Sequence, residues 1–469
     1  YPHLGERKSI ADVDKAREAL EKAYQSSGYL TVFVTLPEQK VQNGVVRLQV
    51  TEGKVERLKV SGSRYYSLGE IKAGAAELEE GKVPDFNTVQ QELSDLNRSS
   101  GRRVTPVLRA GSIPGTIEAE LKVDDQLPLH ATVEVNDRYS RDTTRTRLNA
   151  AVRYDNLWQA GHSLNLNFQV APEAPEESKV LVASYVAPLA SGNTLAAYAV
   201  KSDSDVATVG GINSLGKGNI LGLRYILPLR PLPGMIHSLS LGADYKDYED
   251  SVLLGASPES NLPITYLPFT LGYDISLYGK QDQVQLGLST VFSLRGLVSD
   301  SAEFAAKRTG ADANFIYLKA DLRHRHTFGS GISLADNVSV QYTDSPLISN
   351  EQMAAGGADT VRGYPESSVL GDRGLRVGLE LQSPSLAGAW SSGLSELNVL
   401  GFAEAAWLQQ LETTAYEESR FNLASVGVGV RFRAAKWVSG ALDYAWPLED
   451  AGGVEAGDGR IHFRLGSEW

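Results

Sequence analysis

No cysteine occurs anywhere in the 469 residues, which removes disulfides, thiolate metal sites and cysteine nucleophiles from consideration. No apolar run approaches the roughly 18 residues that a membrane-spanning helix needs, so a helical inner-membrane protein is excluded. That lack does not exclude a β-barrel, whose strands alternate lipid-facing apolar with lumen-facing polar residues and so look unremarkable on average. A hydrophobic fraction of 42% and a mean hydropathy of −0.21 are compatible with either a soluble protein or a barrel. Basic residues are in deficit, 45 Lys and Arg against 57 Asp and Glu, and the net charge of −12 argues against a general nucleic-acid binder.

Motifs of catalysis are missing as well. There is no His-Glu-x-x-His, no phosphate loop and no Gly-x-Ser-x-Gly elbow, and no pairing of carboxylates marks an acid and a base. His324 and His326 share one strand face at i and i+2, but two ligands without a third do not define a metal site. No catalytic residue, metal or cofactor is therefore assigned. No leader with a basic start and apolar middle opens the chain at Tyr1, which reads as a processed or truncated protein given the exported character argued below.

What is present falls into two parts. Up to about residue 125, helical and strand patterns mix. Ser9 with Asp12 forms a capping-box-like start to a helix carrying Val13, Ala16, Leu20 and Tyr24 on one face, and Gly28 ends it. Strands are expected at Leu30–Leu36, stopped by Pro37, and at Gly44–Val50. A second unit then reads β-α-α-β-β: a strand at Val55–Val60, helices near Ser67–Ala75 and Asp85–Asn97, and strands at Arg103–Arg109 and Thr116–Val123. The first unit has the same order without its opening strand.

From about His130 the period changes from helical to two. Leu164, Leu166, Phe168 and Val170 alternate with polar neighbours, as do Val284, Leu286, Leu288 and Phe292, and Val338, Val340 and Tyr342. Runs of about ten residues recur in this way to the C-terminus, as a transmembrane barrel requires. Sixteen can be placed, the first near 129–140 and the last near 459–469, an even number as bacterial barrels have. A soluble β-sandwich also alternates. Its strands are shorter, however, and it does not gather aromatics near strand ends as Tyr139, Trp158, Trp407, Trp437 and Trp446 do here. The last strand puts Ile461, Phe463, Leu465 and Trp469 on one face, and its terminal aromatic resembles the signal read by the outer-membrane assembly machinery.

Two POTRA-like units followed by sixteen strands resemble the outer-membrane transporters of two-partner secretion, the TpsB proteins, over nearly the whole chain. In the first unit the resemblance rests on Gly28-Tyr29, Leu36-Pro37-Glu38-Gln39, Gly44 and Glu52-Gly53. In the second it rests on Leu96-Asn97, Arg103-Val104, Gly111 and Pro114-Gly115-Thr116, and at the barrel entrance on Asp155-Asn156-Leu157 with Gly161. Its most specific element is Val361-Arg362-Gly363-Tyr364, followed by Gly371-Asp372-Arg373-Gly374, in a long segment at about 344–373. That resembles the family's sixth loop, which folds back into the lumen. The family's partner motif on the thirteenth strand reads here Phe402-Ala403-Glu404-Ala405-Ala406, with glutamate where the family has aspartate and alanine (Ala406) where it has glycine. Parity puts Asn398, Phe402 and Glu404 on one face, and a carboxylate belongs on the lumen side.

The resemblance implies a mainly β chain: a first POTRA domain at 1–53 lacking its opening strand, a second at 54–125, and a sixteen-stranded antiparallel transmembrane barrel at 126–469. It implies a non-enzymatic transporter in the bacterial outer membrane, with its POTRA domains in the periplasm. Those domains would receive one large unfolded partner protein, and the lumen would conduct it outward. Lipid and, during biogenesis, the barrel-assembly machinery are the other implied partners. A barrel-assembly insertase of the same superfamily is the first alternative and a passive porin the second. Arg362 is expected to pair with Glu404 inside the lumen, with Tyr364 and Phe402 packed beside the pair.

Overall fold

The computed structural model describes the chain except residues 1–4, 6–7, 42, 98–100, 142, 205, 210–211, 250–261, 391–392, 414–417 and 436. Two compact units emerge. One comprises Tyr1–Pro128 with Asp155–Gly161, the other Leu129–Tyr154 with His162–Trp469.

In the first unit a helix spans Ile10–Ser26. The Asp12 carboxylate starts it by accepting from the Ser9 N–H at 2.9 Å and the Ser9 hydroxyl at 2.8 Å. Gly28 ends it with φ +102°, and a Cβ there would stand 2.1 Å from the Asp85 carboxylate, so only glycine fits. Strands Val32–Thr35 and Gln49–Glu52 pair antiparallel. The second of these begins later than the Gly44–Val50 run implies. The Gln39 side chain donates to the Arg47 carbonyl (2.7 Å) and accepts from its N–H (2.8 Å), taking groups that a longer ladder would use.

The β-α-α-β-β module follows. Strand Lys54–Ser61 runs parallel to Thr116–Asp125, which pairs antiparallel with Arg102–Ala110. Helices Leu68–Ala73 and Phe86–Leu96 pack on this sheet through Ile71, Val89 and Leu96, with Leu78 from the short turn Ala76–Leu78 between them, against Val55, Leu58 and Leu121. The turn between the last two strands is held by Glu56, which accepts from the Thr116 hydroxyl (2.7 Å), the Ile113 N–H (3.1 Å) and the Ser112 hydroxyl.

The second unit is a closed antiparallel barrel. Its strands are β1 Leu129–Asn136, β2 Arg147–Leu157, β3 His162–Val170 and β4 Ser178–Pro188. Next come β5 Thr194–Ser204, β6 Gly218–Pro228, β7 Met235–Tyr248 and β8, which runs from Ile264 to Tyr278 with a break at Leu267. Then follow β9 Asp282–Ser293, β10 Ile316–Thr327, β11 Ser333–Tyr342 and β12 Arg373–Gln382. The last four are β13 Leu394–Gln409, β14 Arg420–Ala434, β15 Val438–Pro447 and β16 Arg460–Glu468. β16 returns to β1, which closes the sheet and rules out two packed sheets. Both ends of the barrel sequence lie at one rim, where Trp469 and Ala131 exchange backbone hydrogen bonds of 2.9 and 3.1 Å. At that rim the connections are short apart from 383–393, and the opposite rim carries the longest ones.

Why a closed barrel rather than a sandwich follows from parity. Along β13, Asn398, Leu400, Phe402, Glu404, Ala406 and Leu408 are buried inward while Val399 and Trp407 stand outward and exposed. Leu221, Leu223, Leu239, Leu241, Val428 and Leu442 continue that outward apolar surface on β6, β7, β14 and β15. Large apolar residues left uncovered all round a closed sheet need lipid against them. Among the described residues no helix is long and apolar enough to cross a membrane, so the strands are the spanning elements.

One prediction concerns Glu56, whose hydrogen bonds to Ser112, Thr116 and Ile113 hold its carboxyl down at about 2, against an ordinary value of 4.5. A depressed carboxyl stabilises the fold above its unfolded value and loses that contribution as pH falls toward the folded one. Between pH 4.5 and 2 the first unit therefore loses stability, and Glu56→Gln flattens that loss. Thermal melts of both proteins across this range check it; parallel pH profiles would count against the assignment.

Candidate functional site

Residues 343–372 leave the long-connection rim between β11 and β12 and turn back into the barrel. A short hairpin, Met353–Ala355 with Val369–Gly371, forms the base of this loop, and Val361–Tyr364 forms its tip. A long loop keeps such a position only if its polar groups find partners inside. Gly363 lets the tip approach the wall, since a Cβ there would meet the Pro447 backbone at 2.9–3.0 Å.

Arg362 is the centre of the tip, with its side chain 6% exposed. Its backbone N–H donates to one Glu404 oxygen at 2.8 Å and its Nε to the other at 2.8 Å, with Nη2 at 2.7 Å from the latter. Nη1 and Nη2 each reach Glu380 at 3.2 Å, and Nη1 lies 3.4 Å from Asp443. The guanidinium lies 3.4 Å from the centre of the Phe402 ring. Arg431 completes the group, donating to Asp443 at 2.6 and 2.9 Å. His462 bonds the Arg362 carbonyl through Nε2 and places Nδ1 3.1 Å from Asp137.

Five consecutive strands thus each send one inward group to this point: Glu380 from β12, Glu404 from β13, Arg431 from β14, Asp443 from β15 and His462 from β16. Three carboxylates surround two guanidiniums, so neither charge type is left enclosed alone. Nε and Nη2 converge on one Glu404 oxygen while Nη1 and Nη2 also reach Glu380, a planar spread of donors that lysine could not copy.

The expected Arg362–Glu404 contact is therefore present, with Phe402 beside it. Tyr364 goes elsewhere. Its ring is buried with Val361, Met353, Val369, Ala406, Leu408 and Leu423. Its hydroxyl donates toward the Glu449 carbonyl (2.7 Å) and lies 3.2 Å from that of Ala424. A buried phenol needs an acceptor, and the carboxylates near Arg362 are already occupied. Ala406 is fully buried in the same cluster, so its methyl fills space against the loop.

The motifs of the sequence do not single out Glu380, Arg431, Asp443 or His462. A signal exists in the parity of Leu379-Glu380-Leu381 and Leu442-Asp443-Tyr444, each a charged residue between two outward apolar ones. Trp469 sits on the closing edge beside Ala131, and its side chain is exposed. His324 and His326 stand opposite Asp336 and Asp282 in the strand register and bond to them, His324 Nδ1 to Asp336 at 2.9 Å and His326 Nδ1 to Asp282 at 2.6 Å.

Comparison with known proteins adds an independent line. Residues 115–432 match the family described as haemolysin secretion/activation protein ShlB/FhaC/HecB, and residues 1–53 match the ShlB-type POTRA domain. Outer membrane transporter CdiB of Dickeya dadantii is 22% identical over 99% of this chain and 82% of its own length. Heme/hemopexin transporter protein HuxB of Haemophilus influenzae is 21% identical over 96% of this chain and 79% of its own. Among solved structures, CdiB from Escherichia coli superposes with a TM-score of 0.66 at 17% identity, covering 98% of this chain and 85% of that one. BamA from Haemophilus ducreyi lacking POTRA domains 1–3 gives a TM-score of 0.63 at 14% identity, covering 99% and 95% respectively. At these identities the structural matches speak to fold alone.

The charge cluster predicts an asymmetry between its members. Arg362→Ala leaves Glu380, Glu404 and Asp443 with Arg431 only, and stranding buried charge in this way costs about 3–5 kcal/mol. Glu404→Gln leaves Arg362 two other carboxylates and is the milder change. The double variant Arg362→Ala/Glu404→Gln falls between them, because one stranded carboxylate is gone. Hydrogen exchange of the loop backbone measures all three, and equal exchange in Arg362→Ala and the unsubstituted protein would contradict the reading.

Proposed function

The chain belongs to the ShlB/FhaC/HecB family of haemolysin secretion/activation proteins, outer-membrane transporters that secrete partner proteins, and from that premise we propose how its parts divide the work. The short-turn rim, which carries both ends of the barrel sequence, faces the periplasm, and the long-connection rim faces outside. One large partner protein arrives unfolded and is received by residues 1–125. Strand Arg102–Ala110 lies at the edge of its sheet, and beyond Val104, whose N–H and carbonyl Asn97 takes, an extended segment can add through main-chain hydrogen bonds, which asks little of its sequence.

The lumen then conducts the segment. Its wall encloses a cavity of about 1190 Å³ lined by Lys319, Asp321, Arg323, Arg325, Asp359 and Arg376 among others. Interspersed charges of both signs keep such a wall hydrated, so a passing chain meets a mostly polar surface there. The observation that carries the reading is the loop tip held across β12–β16 by Arg362, which places a specific, charge-paired segment where a passive pore would have only water. An assembly insertase shares the barrel architecture, but the family match favours secretion. The terminal Trp469, exposed on the closing strand, is assigned to recognition by the assembly machinery.

Expressing the protein with its co-encoded partner and measuring the partner outside the cell tests this function. Secretion is expected to fall severely in Arg362→Ala while the amount of heat-resistant folded barrel stays unchanged, and Glu404→Asp is expected to retain secretion. Normal export by Arg362→Ala would refute the role given to the loop.

A further inference from the structure

The connection between β9 and β10, residues 294–315, does not project away from the barrel. It contains a helix, Ser301–Lys307, and buries Phe304, Ala311, Ala313 and Phe315. These side chains pack against Val182, Val200, Ile220, Tyr248, Tyr266 and Tyr317, the inward positions of β4 to β10 near the long-connection rim. Phe304 meets Tyr266 edge-on at 5.5 Å, and Phe315 stacks on Tyr317 at 6.0 Å. The charged lumen thus has an apolar section at its outer mouth, filled by this connection and by Leu347 and Ile348 of the inward loop.

Two buried carboxylates flank the hairpin at the base of the inward loop. Glu351, before it, bonds to Lys246 (2.5 Å) and to the hydroxyls of Tyr266 (2.5 Å) and Tyr317 (2.6 Å), all on the wall. Asp372, after it, is fully buried and joins three separate connections. It accepts from the N–H groups of Leu347 (2.9 Å) and Leu411 (2.7 Å) and from the Gln352 amide (3.0 Å). Arg308 meets it in a bidentate pair of 2.5 and 2.9 Å, and also donates to the carbonyls of Leu347 and Leu411. Arg308 is the only residue of the connection 294–315 among the described hydrogen bonds that reaches Asp372.

We propose that residues 294–315 form a lid on the outer mouth, and that the Arg308–Asp372 pair is the latch that holds it shut. The division of contacts supports a moving lid rather than a fixed cork. Glu351 fastens the inward loop to the wall, whereas the described polar ties from the lid to other connections come from two adjacent residues at the end of its helix, Arg308 to Asp372 and Lys307 to the Leu262 carbonyl at 2.5 Å, with apolar packing beside them. A bidentate ionic bond has a narrow geometry and is lost over a small displacement, while an emerging segment can replace the apolar contacts with its own. The pair sits at the base of the inward loop and is separate from the Arg362 cluster at its tip, so exit and lumen are controlled at different places.

The inference rests on the secretion reading for its purpose, but conductance tests it without a partner. Purified protein in planar lipid bilayers is expected to show a severalfold higher conductance in Arg308→Ala and Asp372→Asn than in the unsubstituted protein, with Arg308→Lys between. A covalent arm guards against misfolded variants. The chain has no cysteine, so Thr309→Cys with Glu412→Cys, both exposed and on the lid and the β13–β14 connection, offers two unique thiols. Bridging them with a short bis-maleimide is expected to abolish export, and the unbridged double variant to export normally. Unchanged conductance in the latch variants together with undiminished export by the bridged protein would overturn the lid while leaving the secretion function standing. Raised conductance in the latch variants of a protein that exports no co-encoded partner would do the reverse.

Discussion

A guanidinium enclosed in a protein wall must be met by carboxylates, and that requirement organises the barrel around Arg362. Glu404 alone would neutralise it, yet the loop tip draws on Glu380 and Asp443 as well, and through Asp443 on Arg431. Each of these groups is inward because its strand alternates, and each strand alternates because its other face meets lipid. The outward apolar residues therefore do more than hold the protein in a membrane. They fix the parity that aims the charged residues at one point, so a one-residue slip in any of β12 to β16 would turn a carboxylate, an arginine or a histidine toward lipid.

Within that cluster the departure from the family's aspartate has a structural use. Glu404 spans Arg362 from its side chain to its own backbone N–H, giving one oxygen to each. The companion departure, Ala406, is absorbed by the packing of Val361 and Tyr364, whose ring lies away from the ion pair because its hydroxyl is bound to main-chain carbonyls. Two changes that look like threats to the loop from sequence are accommodated by its neighbours.

The strands of the barrel are legible because period two, sustained over about ten residues and repeated down the chain, is the pattern of a sheet with one apolar and one polar face, and all sixteen lie where the alternation puts them. The Arg362–Glu404 contact is legible from motif and parity together. Harder to see is anything that depends on long connections. Arg308 and Asp372 are separated by 64 residues and belong to segments without periodicity, so nothing in the sequence links them. The late start of strand Gln49–Glu52 escapes the sequence for a local reason: the Gln39 side chain imitates a strand toward Arg47, which apolar patterning does not reveal.

The closing seam has a consequence for how the protein reaches this state. β16 and β1 share the register Arg464↔Asn136 to Glu468↔Thr132, a short ladder beside those of neighbouring pairs. Past its end, Asp137 takes over, accepting from the Phe463 N–H at 2.8 Å and standing beside His462. His462 in turn holds the Arg362 carbonyl, 100 residues earlier in the chain. The clasp of the ring is thus partly made of the inward loop. Joining chain segments so far apart is slow, and each such contact depends on others already being in place. The last strand has its full set of partners only when the loop is seated, so the ring closes on its own backbone ladder while the His462 side chain completes its bonds with the loop in place.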